Sequence, residues 1–498
     1  MVGGLITPPI LLGGSSGAAL SASEQQYLVS ASIIFCGIGT CLQVSRFKLP
    51  FGYTIGSGVL TVTGTSFAFV SVGLTFINGQ YSADGSGMCK LDAAGDKLPC
   101  PEAFGAFLGT ATVVAVMAIA LSFLPPRTIK KMFPPLISGM VLTLIGATLI
   151  LSGINNWAGG AGSCMSDKTM LCPSNSAPHG EFWGSAPLIG LGFSVFISII
   201  IFDLLGPPIV QNCSVFLGLL VGLIIAAGCG YFDGSTITSA PAATFLWTTR
   251  FPLSVRGDLV LPFIAAYLVI VSETVGNISA TAEASALPID GPDFSSRVQG
   301  GLLADTAFAC IAGLATVPPL TTFSQNIGVV ALTRNASRQS GYVCAFFLLI
   351  MGIFAKFGAV FVAMPASVLG GMTTFLFGSV AVAGIRILAM VKWTRRTRFI
   401  ATASLSLGFA SVVQPDWFSN FFTYSGDNAA LSGFLNALVL IVEEGYLLAL
   451  IIGIPLNLVI PYGADDLATT PEEQESIGLP TVTSAEQSAR TNEDVKVV

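Results

Sequence analysis

Two carboxylates stand inside strongly apolar stretches of this sequence, and two neighbouring amides stand in a polar stretch of the same apolar chain. Glu273 stands in the stretch IVSETVGNISATAE, Asp305 stands in GLLADTAFA, and Gln325 is followed directly by Asn326. A carboxylate accepts hydrogen bonds from N–H donors, whereas a primary amide both donates and accepts them. Ionisable groups in apolar, membrane-like surroundings are costly and usually functional. These four side chains are therefore our first candidates for a site that binds a small polar molecule.

The amide pair belongs to a polar stretch at 321–338 that reads TTFSQNIGVVALTRNASR. Its apolar run is too short for an uninterrupted transmembrane helix, and Pro318 and Pro319 just before it lack backbone donors. Gly328 allows the backbone to approach a neighbour or a ligand closely. Irregular backbone at membrane depth is tolerated only where it is buried in protein or lines a cavity. We therefore interpret this stretch as part of a substrate site.

The composition indicates what kind of protein positions these residues. Of 498 residues, 53% are hydrophobic and only 10% are charged, and the mean hydropathy is +0.79. Soluble domains carry about 25% charged residues, so the sequence predicts a polytopic membrane protein. Its 55 glycines suit helices that pack through small residues. Nothing in the charge pattern favours nucleic-acid binding.

The apolar stretches predict about thirteen spans, and two of them, 55–72 and 320–335, are short and rich in Gly, Thr and Ser. A pair of interrupted segments in corresponding halves is typical of inverted-repeat transporters, and it indicates the binding site near the membrane midplane. The predicted spans lie near 27–44, 55–72, 102–125, 133–154, 187–206, 212–230, 258–282, 298–316, 320–335, 341–362, 367–390, 398–414 and 433–460.

Lys and Arg residues in short loops predict the orientation in the membrane. The basic loops alternate consistently along the chain, which places them and the C-terminal tail in the cytoplasm. They carry Arg46, Lys48, Arg127, Lys130, Lys131, Arg334, Arg338, Lys392, Arg395, Arg396 and Arg398. The tail from Gly463 is polar and acidic, a composition typical of disorder.

Two loops on the opposite side each contain a pair of cysteines. Cys89 and Cys100 lie in the first loop, and Cys164 and Cys172 lie in the second. An oxidising exterior would allow both pairs to form disulfides. The alternative, that some of them are free thiols, stays open at this point.

The polar stretch also carries a spaced motif: Gln325, Asn326, any residue, Gly328, four residues of any kind, then Thr333 and Arg334. This motif resembles the signature of the nucleobase–ascorbate transporter family. Gln in the first position is typical of the purine-selective branch. The resemblance extends from the first residues to about 461 and is strongest to fungal uric acid–xanthine permeases.

The resemblance implies roles for individual residues in binding. Glu273 matches a glutamate that accepts hydrogen bonds from purine ring N–H groups, and Gln325 matches a second clamp on the base. The backbone at Ser324 would add a contact. Phe67, next to Ser66 in the other interrupted segment, would stack on the planar base. Core packing is the alternative for Phe67, because the chain has 35 phenylalanines.

Further residues would support the site. Asp305 resembles an acid that supports the site and takes part in proton coupling. Asn326, Gly328, Thr333 and Arg334 would maintain its architecture and specificity. For four other ionisable residues within apolar stretches, interhelical salt bridges or snorkelling to the headgroups is the better explanation: Asp203, Glu283, Lys356 and Arg386.

The sequence departs from the family pattern in two places. The second acidic position of the Glu-x-x-x-acid pattern is Asn277, which can hydrogen-bond but cannot carry a proton charge. The family's first helix also carries a Gln-His pair that is absent here, and the chain starts near the end of that helix. We therefore expect a truncated product or an incomplete gene prediction that does not transport alone. Pro8 and Pro9 are expected to end a helix.

For the fold, the resemblance implies an all-α polytopic protein of two intertwined inverted repeats, with thirteen spans and the remnant of a first helix. We expect a substrate-carrying core domain from 1–132 and 258–366. A gate and scaffold domain would comprise 133–257 and 367–461. The residues 462–498 would form a disordered acidic cytoplasmic tail.

For the function, the resemblance implies proton-coupled uptake of xanthine or uric acid across the plasma membrane by an elevator-like motion. The expected partners are the purine, protons, membrane lipids and a second copy in a homodimer, without cofactor or nucleic acid. Two alternatives stay open: a different nucleobase specificity, and a truncated non-transporting paralogue or transceptor. An enzyme is disfavoured, because the sequence has no metal-ligand cluster, nucleophile motif or phosphate-binding loop.

Overall fold

The computed structural model describes most of the chain as a predominantly helical protein. The described residues are 2–81, 87–92, 95–124, 134–160, 163–166, 169–172, 180–289, 291–323, 325–418, 421–422 and 429–461. The predicted acidic tail, the basic residues of the 125–133 loop and Ser324 lie outside them.

Sixteen longer helices form the body of the described chain. They are α1 (Val2–Gly13), α2 (Ala22–Val44), α3 (Phe67–Gly79), α4 (Pro101–Leu121), α5 (Pro135–Trp157), α6 (Ala186–Leu205), α7 (Ser214–Gly228), α8 (Gly257–Ala284), α9 (Gly291–Leu314), α10 (Gln325–Thr333), α11 (Arg338–Ile353), α12 (Ala355–Val362), α13 (Ala366–Ala389), α14 (Arg395–Val413), α15 (Ala429–Glu443) and α16 (Gly445–Val459). Short helical turns occupy Pro50–Gly52, Ser163–Ser166, Pro208–Asn212, Ser235–Ser239 and Pro415–Phe418.

Three small antiparallel pairs connect these helices. They are β1 (Phe47–Lys48) with β2 (Thr54–Ile55), β3 (Thr63–Thr65) with β6 (Leu320–Thr322), and β4 (Leu171–Cys172) with β5 (Glu181–Phe182). The β3–β6 pair joins segments that are far apart in the sequence, and it lies where the two interrupted spans were predicted.

Six of the described helices, α2, α4, α5, α6, α8 and α13, are long and apolar enough to cross a membrane. The number rises to eight if each of two bent helix pairs counts as one span. The pair α11–α12 bends by 74° and the pair α15–α16 by 92°.

The helix termini follow local sequence signals in part. Ser21 and Glu24 form a capping box at the start of α2, in which each side chain receives the other's backbone N–H. The expectation for Pro8 and Pro9 is wrong, because both lie inside α1, which continues to Gly13. The two prolines remove the helical bonds to the Gly4 and Leu5 carbonyls, and the Leu5 carbonyl accepts from Thr65 Oγ1 at 3.3 Å instead.

The helices pack most extensively in pairs that are distant in sequence. α13 lies along α5, and α11 lies along α2, while α4 packs on α9 and α14 on α16. Small residues make the closest of these contacts possible: Gly146 faces the backbone of Ala381, and Gly370 faces the backbone of Trp157. This packing through small residues is typical of helices in membranes.

Candidate functional site

The candidate site is built around the pairing of the two interrupted segments. Thr63 pairs with Thr322, and Thr65 pairs with Leu320. The Phe323 amide donates to the Val62 carbonyl at 2.9 Å, which extends the pairing by one more bond. The irregular backbone is therefore satisfied inside the protein, as its depth requires. Since α3 begins at Phe67 and α10 begins at Gln325, the positive ends of two helix dipoles meet at this crossing.

Gly64 makes the close crossing of the two segments possible. A Cβ atom at this position would lie 2.3 Å from Cζ of Phe323 and 2.5 Å from Cδ2 of Leu5. Both distances are far below van der Waals contact, so a larger residue would push the strands apart. Glycine here fixes the spacing between the crossing and α1.

Asp305 on α9 ties the crossing to two neighbouring helices. Its Oδ1 accepts a hydrogen bond from Gln43 Nε2 at 3.0 Å. Its Oδ2 accepts from Thr274 Oγ1 at 2.7 Å and from the Thr322 backbone N–H at 2.9 Å. The side chain is 2% exposed, so this carboxylate is a buried acceptor that α2, α8 and β6 surround with neutral donors.

Asn277 fastens α8 to the same strand. Its Nδ2 donates to the Thr322 carbonyl oxygen at 2.8 Å. An ionised aspartate could not make this bond, because it has no donor. Where the family pattern has an acid, this chain therefore has a donor that holds β6 against α8.

Glu273 lies one helical turn before Asn277, on the same face of α8. Its side chain is half-buried, and Gly276 on this face is exposed with open space beside it. Among the described side chains, none forms a hydrogen bond or an ion pair with the Glu273 carboxylate, although Asp305 lies within electrostatic range. Glu273 thus presents an unoccupied acceptor to a space beside the crossing.

Phe67 lies at the first position of α3, next to the fully buried Ser66. Its ring is parallel to Phe323 within 10°, with centroids 5.9 Å apart, and meets Phe377 of α13 edge-on at 5.7 Å. Phe67 is half-buried, so part of its surface remains open. Packing and stacking on a planar ligand are both compatible with this position, since the ring is held by neighbours without being enclosed.

The motif residues on α10 separate into two groups. Gln325 begins the helix beside the crossing, and Asn326 Nδ2 donates to the Leu60 carbonyl at 3.0 Å, which ties α10 to the segment before β3. Gly328 lies in the middle of the helix. Thr333 and Arg334 lie at its far end and are exposed, so the structure does not bring them to the crossing. The side chain of Gln325 and all of Ser324 lie outside the described part.

The two cysteine-containing loops follow the C-terminal ends of α3 and α5. The structure pairs Cys89 with Cys100 and Cys164 with Cys172. From the first of these loops, Lys97 Nζ reaches Asn78 Oδ1 at 2.6 Å and the Ser15 carbonyl at 3.1 Å. Burial lowers the pKa of Lys97 to about 8. The loop is thereby fixed to the ends of α1 and α3.

Several polar residues around Asp305 and along α3 were not predicted from the sequence. Gln43 and Thr274 bind Asp305, and their partner could not be identified from local sequence. Glu444 lies at the break between α15 and α16, and Tyr446 follows it; both are buried. Glu444 stands inside the apolar stretch 433–460, so the criterion that selected Glu273 would also have selected it.

The chain matches a family of permeases over most of its length. The family model Xan_ur_permease, described as a permease family, matches residues 1–417. A purine permease of Emericella nidulans is 47% identical over 500 residues, which cover 100% of this chain and 86% of that protein. The uric acid-xanthine permease of the same fungus is 48% identical, over 95% of this chain and 81% of that protein. The xanthine permease XanQ of Escherichia coli is 33% identical, over 97% and 91%.

Solved structures extend the comparison of the fold. The structure of SLC26A9 superposes with a TM-score of 0.51 over 82% of this chain and 61% of that chain, at 12% identity. Murine Slc26a9, an anion transporter in the inward-facing state, gives a TM-score of 0.50 over 87% and 67%, also at 12% identity. At such low identity the likeness concerns the fold alone.

These matches cover nearly the whole chain, and its apolar helices are those of an integral multi-pass membrane protein. The protein belongs to the Xan_ur_permease family of permeases, which confirms the resemblance to nucleobase–ascorbate transporters and to their fungal purine permeases.

Proposed function

We propose that the protein takes up a purine, xanthine or uric acid, through a site beside the β3–β6 crossing. The observation that carries this proposal is the Glu273 carboxylate, which is half-buried and has no partner among the described side chains. An unpaired buried charge is costly, so a carboxylate kept in this state suits a ligand that supplies N–H donors. Purines carry such donors on a planar ring.

The other groups of the site complement the same ligand. Phe67 offers a ring surface for stacking on a planar base. Gln325 begins α10 at the crossing, where an amide would pair with an N–H and a carbonyl of a dioxopurine at once. Two helix N-termini favour electronegative atoms of the ligand. The names of the relatives, purine permease and uric acid-xanthine permease, support the same substrate class.

The packing supports a division into a core and a gate domain. The residues 1–132 and 258–366 would form the core, in which α2 packs on α11 and α4 on α9. The residues 133–257 and 367–461 would form the gate, in which α5 packs on α13. In this proposal the two halves are inverted repeats of about thirteen spans in all, and the core slides against the gate as in an elevator.

Asp305 is the proposed proton-coupling residue, since Asn277 cannot carry a proton charge. As an ionised carboxylate, Asp305 accepts from three neutral donors. A proton on it would need an acceptor, and Gln43 Oε1 is buried without a partner in the described structure. Rotation of the Gln43 amide would turn this oxygen towards the proton. Asp305 could thus be hydrogen-bonded in both protonation states.

The proposed setting is the plasma membrane, with the C-terminus in the cytoplasm and the chain in a homodimer. The loops with Cys89–Cys100 and Cys164–Cys172 would face the oxidising exterior. α6 suits a lipid or subunit contact, because only 28% of the residues in its 18-residue apolar stretch are buried.

Radiolabelled xanthine uptake, in cells that lack their own carriers, tests the proposal. Glu273→Gln removes the negative charge at nearly constant volume, and uptake should be abolished at wild-type surface levels. Glu283→Gln is the matched control, because Glu283 is an exposed glutamate near the end of the same helix. Normal uptake by Glu273→Gln would refute the assignment of the site.

The same assay separates the two alternatives. Competition by unlabelled xanthine, uric acid, other purines and pyrimidines determines the specificity, and preference for a pyrimidine would replace the proposed substrate. Absence of any nucleobase uptake by the wild-type chain at the cell surface would favour a non-transporting paralogue or a transceptor.

A further inference from the structure

A second buried carboxylate links the gate to the core, on the part of α3 that follows Phe67. Glu444 lies at the 92° break between α15 and α16 and is 2% exposed. Its Oε1 accepts a hydrogen bond from Thr75 Oγ1 at 2.7 Å, and its Oε2 accepts one from Ser71 Oγ. Both donors belong to α3 of the core. No described cation forms an ion pair with Glu444.

The break contributes a further contact to the same face of α3. The hydroxyl of Tyr446, which is fully buried, donates to the Ala68 carbonyl at 2.7 Å. Ala68, Ser71 and Thr75 follow one another at spacings of three and four residues, so they form one row along the helix. This row begins directly after Phe67. The gate therefore holds the helix that carries the proposed stacking residue.

The same two hydroxyl residues border an open space. Ser71 and Thr75 line an open crevice between α3 and α5, and Ser152 and Asn155 of α5 lie on its other wall. The crevice runs along the half of α3 that ends near Asn78 and the disulfide-bearing loop. In this conformation the gate thus contacts α3 at the break and along part of α5, and the crevice opens between α3 and residues 148–155 of α5.

The chemistry of the contact suits a bond that forms and breaks. Hydrogen bonds to an ionised carboxylate are roughly twice as strong as neutral ones, so the pair of hydroxyls holds α3 most firmly when Glu444 is ionised. The donors are side chains of neutral residues, and each can exchange Glu444 for water in the adjoining crevice. Any sliding of α3 along the gate would have to separate Ser71 and Thr75 from the carboxylate.

We propose that Glu444 is the acceptor through which the gate holds the core in this conformation. It is a positioning residue: it sets the equilibrium between the conformations of the transporter and does not touch the purine. This inference rests on the proposed division into a core that moves and a gate that does not. It adds a residue that governs this motion.

The test measures conformation without any substrate. Ser152→Cys places a thiol on the crevice wall, in a chain whose exposed Cys213 and Cys229 are replaced by Ser. The rate of labelling by a membrane-impermeant maleimide then reports how often the crevice is open. Loss of a hydrogen bond to a charged group shifts an equilibrium by about ten-fold or more. Thr75→Val should therefore slow labelling several-fold, and Thr75→Ser, which keeps the hydroxyl, should restore it.

Glu444→Gln, alone and combined with Thr75→Val, tests whether Thr75 acts through Glu444. Glu444→Gln should slow labelling as Thr75→Val does. The combination of both should be no slower than the stronger single variant, because both remove one contact. Surface level and thermal stability in detergent are measured for each variant. If Glu444→Gln does not fold, the comparison of Thr75→Val with Thr75→Ser decides the test alone.

Two results would overturn the inference. One is unchanged labelling in both Thr75→Val and Glu444→Gln. The other is a raised KM for xanthine in Glu444→Gln with unchanged labelling, which would place Glu444 in the purine site instead. If the protein transports no purine, uptake is absent while the labelling pattern persists, so failure of the proposed function and failure of this inference are distinguishable.

Discussion

Asn277→Asp tests whether this position needs a hydrogen-bond donor or an acid. The wild-type amide donates to the Thr322 carbonyl at 2.8 Å. An ionised aspartate would leave this carbonyl unpaired, at a cost of about 1–3 kcal/mol. It would also place a second negative charge four residues after Glu273, at a cost of a few tenths of a kcal/mol more.

If this cost falls on the conformation that binds purine, affinity drops about 10- to 100-fold, since about 1.4 kcal/mol corresponds to a factor of ten. A protonated carboxylic acid has an O–H donor and can bond to the Thr322 carbonyl. Uptake by Asn277→Asp relative to wild type should therefore improve as the pH falls. The assay is the initial rate of radiolabelled xanthine uptake over the acidic to neutral range, normalised to wild type at each pH and to surface level.

Asn277→Ala is the control, because it loses the same hydrogen bond without adding a titratable group. Its uptake relative to wild type should be low and independent of pH. Wild-type affinity and pH profile in Asn277→Asp would show that the donor is dispensable. The same pH trend in Asn277→Ala would show that the proton is not bound at position 277.

Three further substitutions test other parts of the structure. Gly64→Val should destabilise the protein by about 1–3 kcal/mol through overpacking, measured as thermal unfolding in detergent, because a Cβ would lie 2.3 Å from Phe323; wild-type stability would refute the close crossing. Asp305→Asn should abolish proton-coupled uptake yet lower stability less than Asp305→Ala, because the amide oxygen can keep the bonds from Thr274 and Thr322 while its Nδ2 donates to the rotated Gln43 Oε1; equal melting temperatures of the two variants would refute this network. Burial lowers the pKa of Lys97 to about 8, so between about pH 8 and 10 the unfolded chain binds more protons than the folded one. The free energy of unfolding of wild type should therefore rise relative to that of Lys97→Met, by at most about 3 kcal/mol, as the pH rises through this window. A difference in melting temperature between the two proteins that does not change with pH would refute this.

The sequence was sufficient to locate the crossing because its signals are local. Two short stretches rich in Gly, Thr and Ser interrupt otherwise apolar sequence, and Pro318 and Pro319 exclude a regular helix directly before the second one. The structure confirms the interruptions, as β3 and β6 replace helix at both places. Glu273 and Asp305 could be singled out because a carboxylate in an apolar stretch is rare for a clear energetic reason.

What local sequence could not supply is which groups these carboxylates face. Asp305 is satisfied by Gln43, 262 residues away, and by the Thr322 backbone, whereas Glu273 is left without a described partner. Only the packing of α2, α8 and α9 decides this difference. Asn277 illustrates the same limit. From the sequence, Asn277 is only a position where the family's acidic residue is missing. In the structure, its amide is the hydrogen-bond donor that holds β6 against α8.

The kinds of contact within and between the two proposed domains differ in a way that bears on the motion. Inside the core, backbone pairing of β3 with β6 and the bonds of Asp305 join five elements, β3, β6, α2, α8 and α9, into one unit. Between core and gate, the described polar contacts of the long helices involve single side chains, such as Ser138 Oγ with Ser272 Oγ at 2.6 Å. Backbone bonds to the core come from the connection at 240–256, where the Thr244 amide donates to the Ile353 carbonyl at 2.9 Å.

Backbone pairing holds a fixed register, because shifting it breaks every bond of the ladder together. A contact through one hydroxyl can be exchanged for water or for the next residue of a helix at little cost. A displacement that carried along the crossing, its ligand and the connection at 240–256 as a unit would therefore break only the second kind of contact. Among these, the two hydroxyls of α3 share one acceptor, the Glu444 carboxyl, so this contact joins core and gate through two bonds, and in our proposal it holds the core in this conformation.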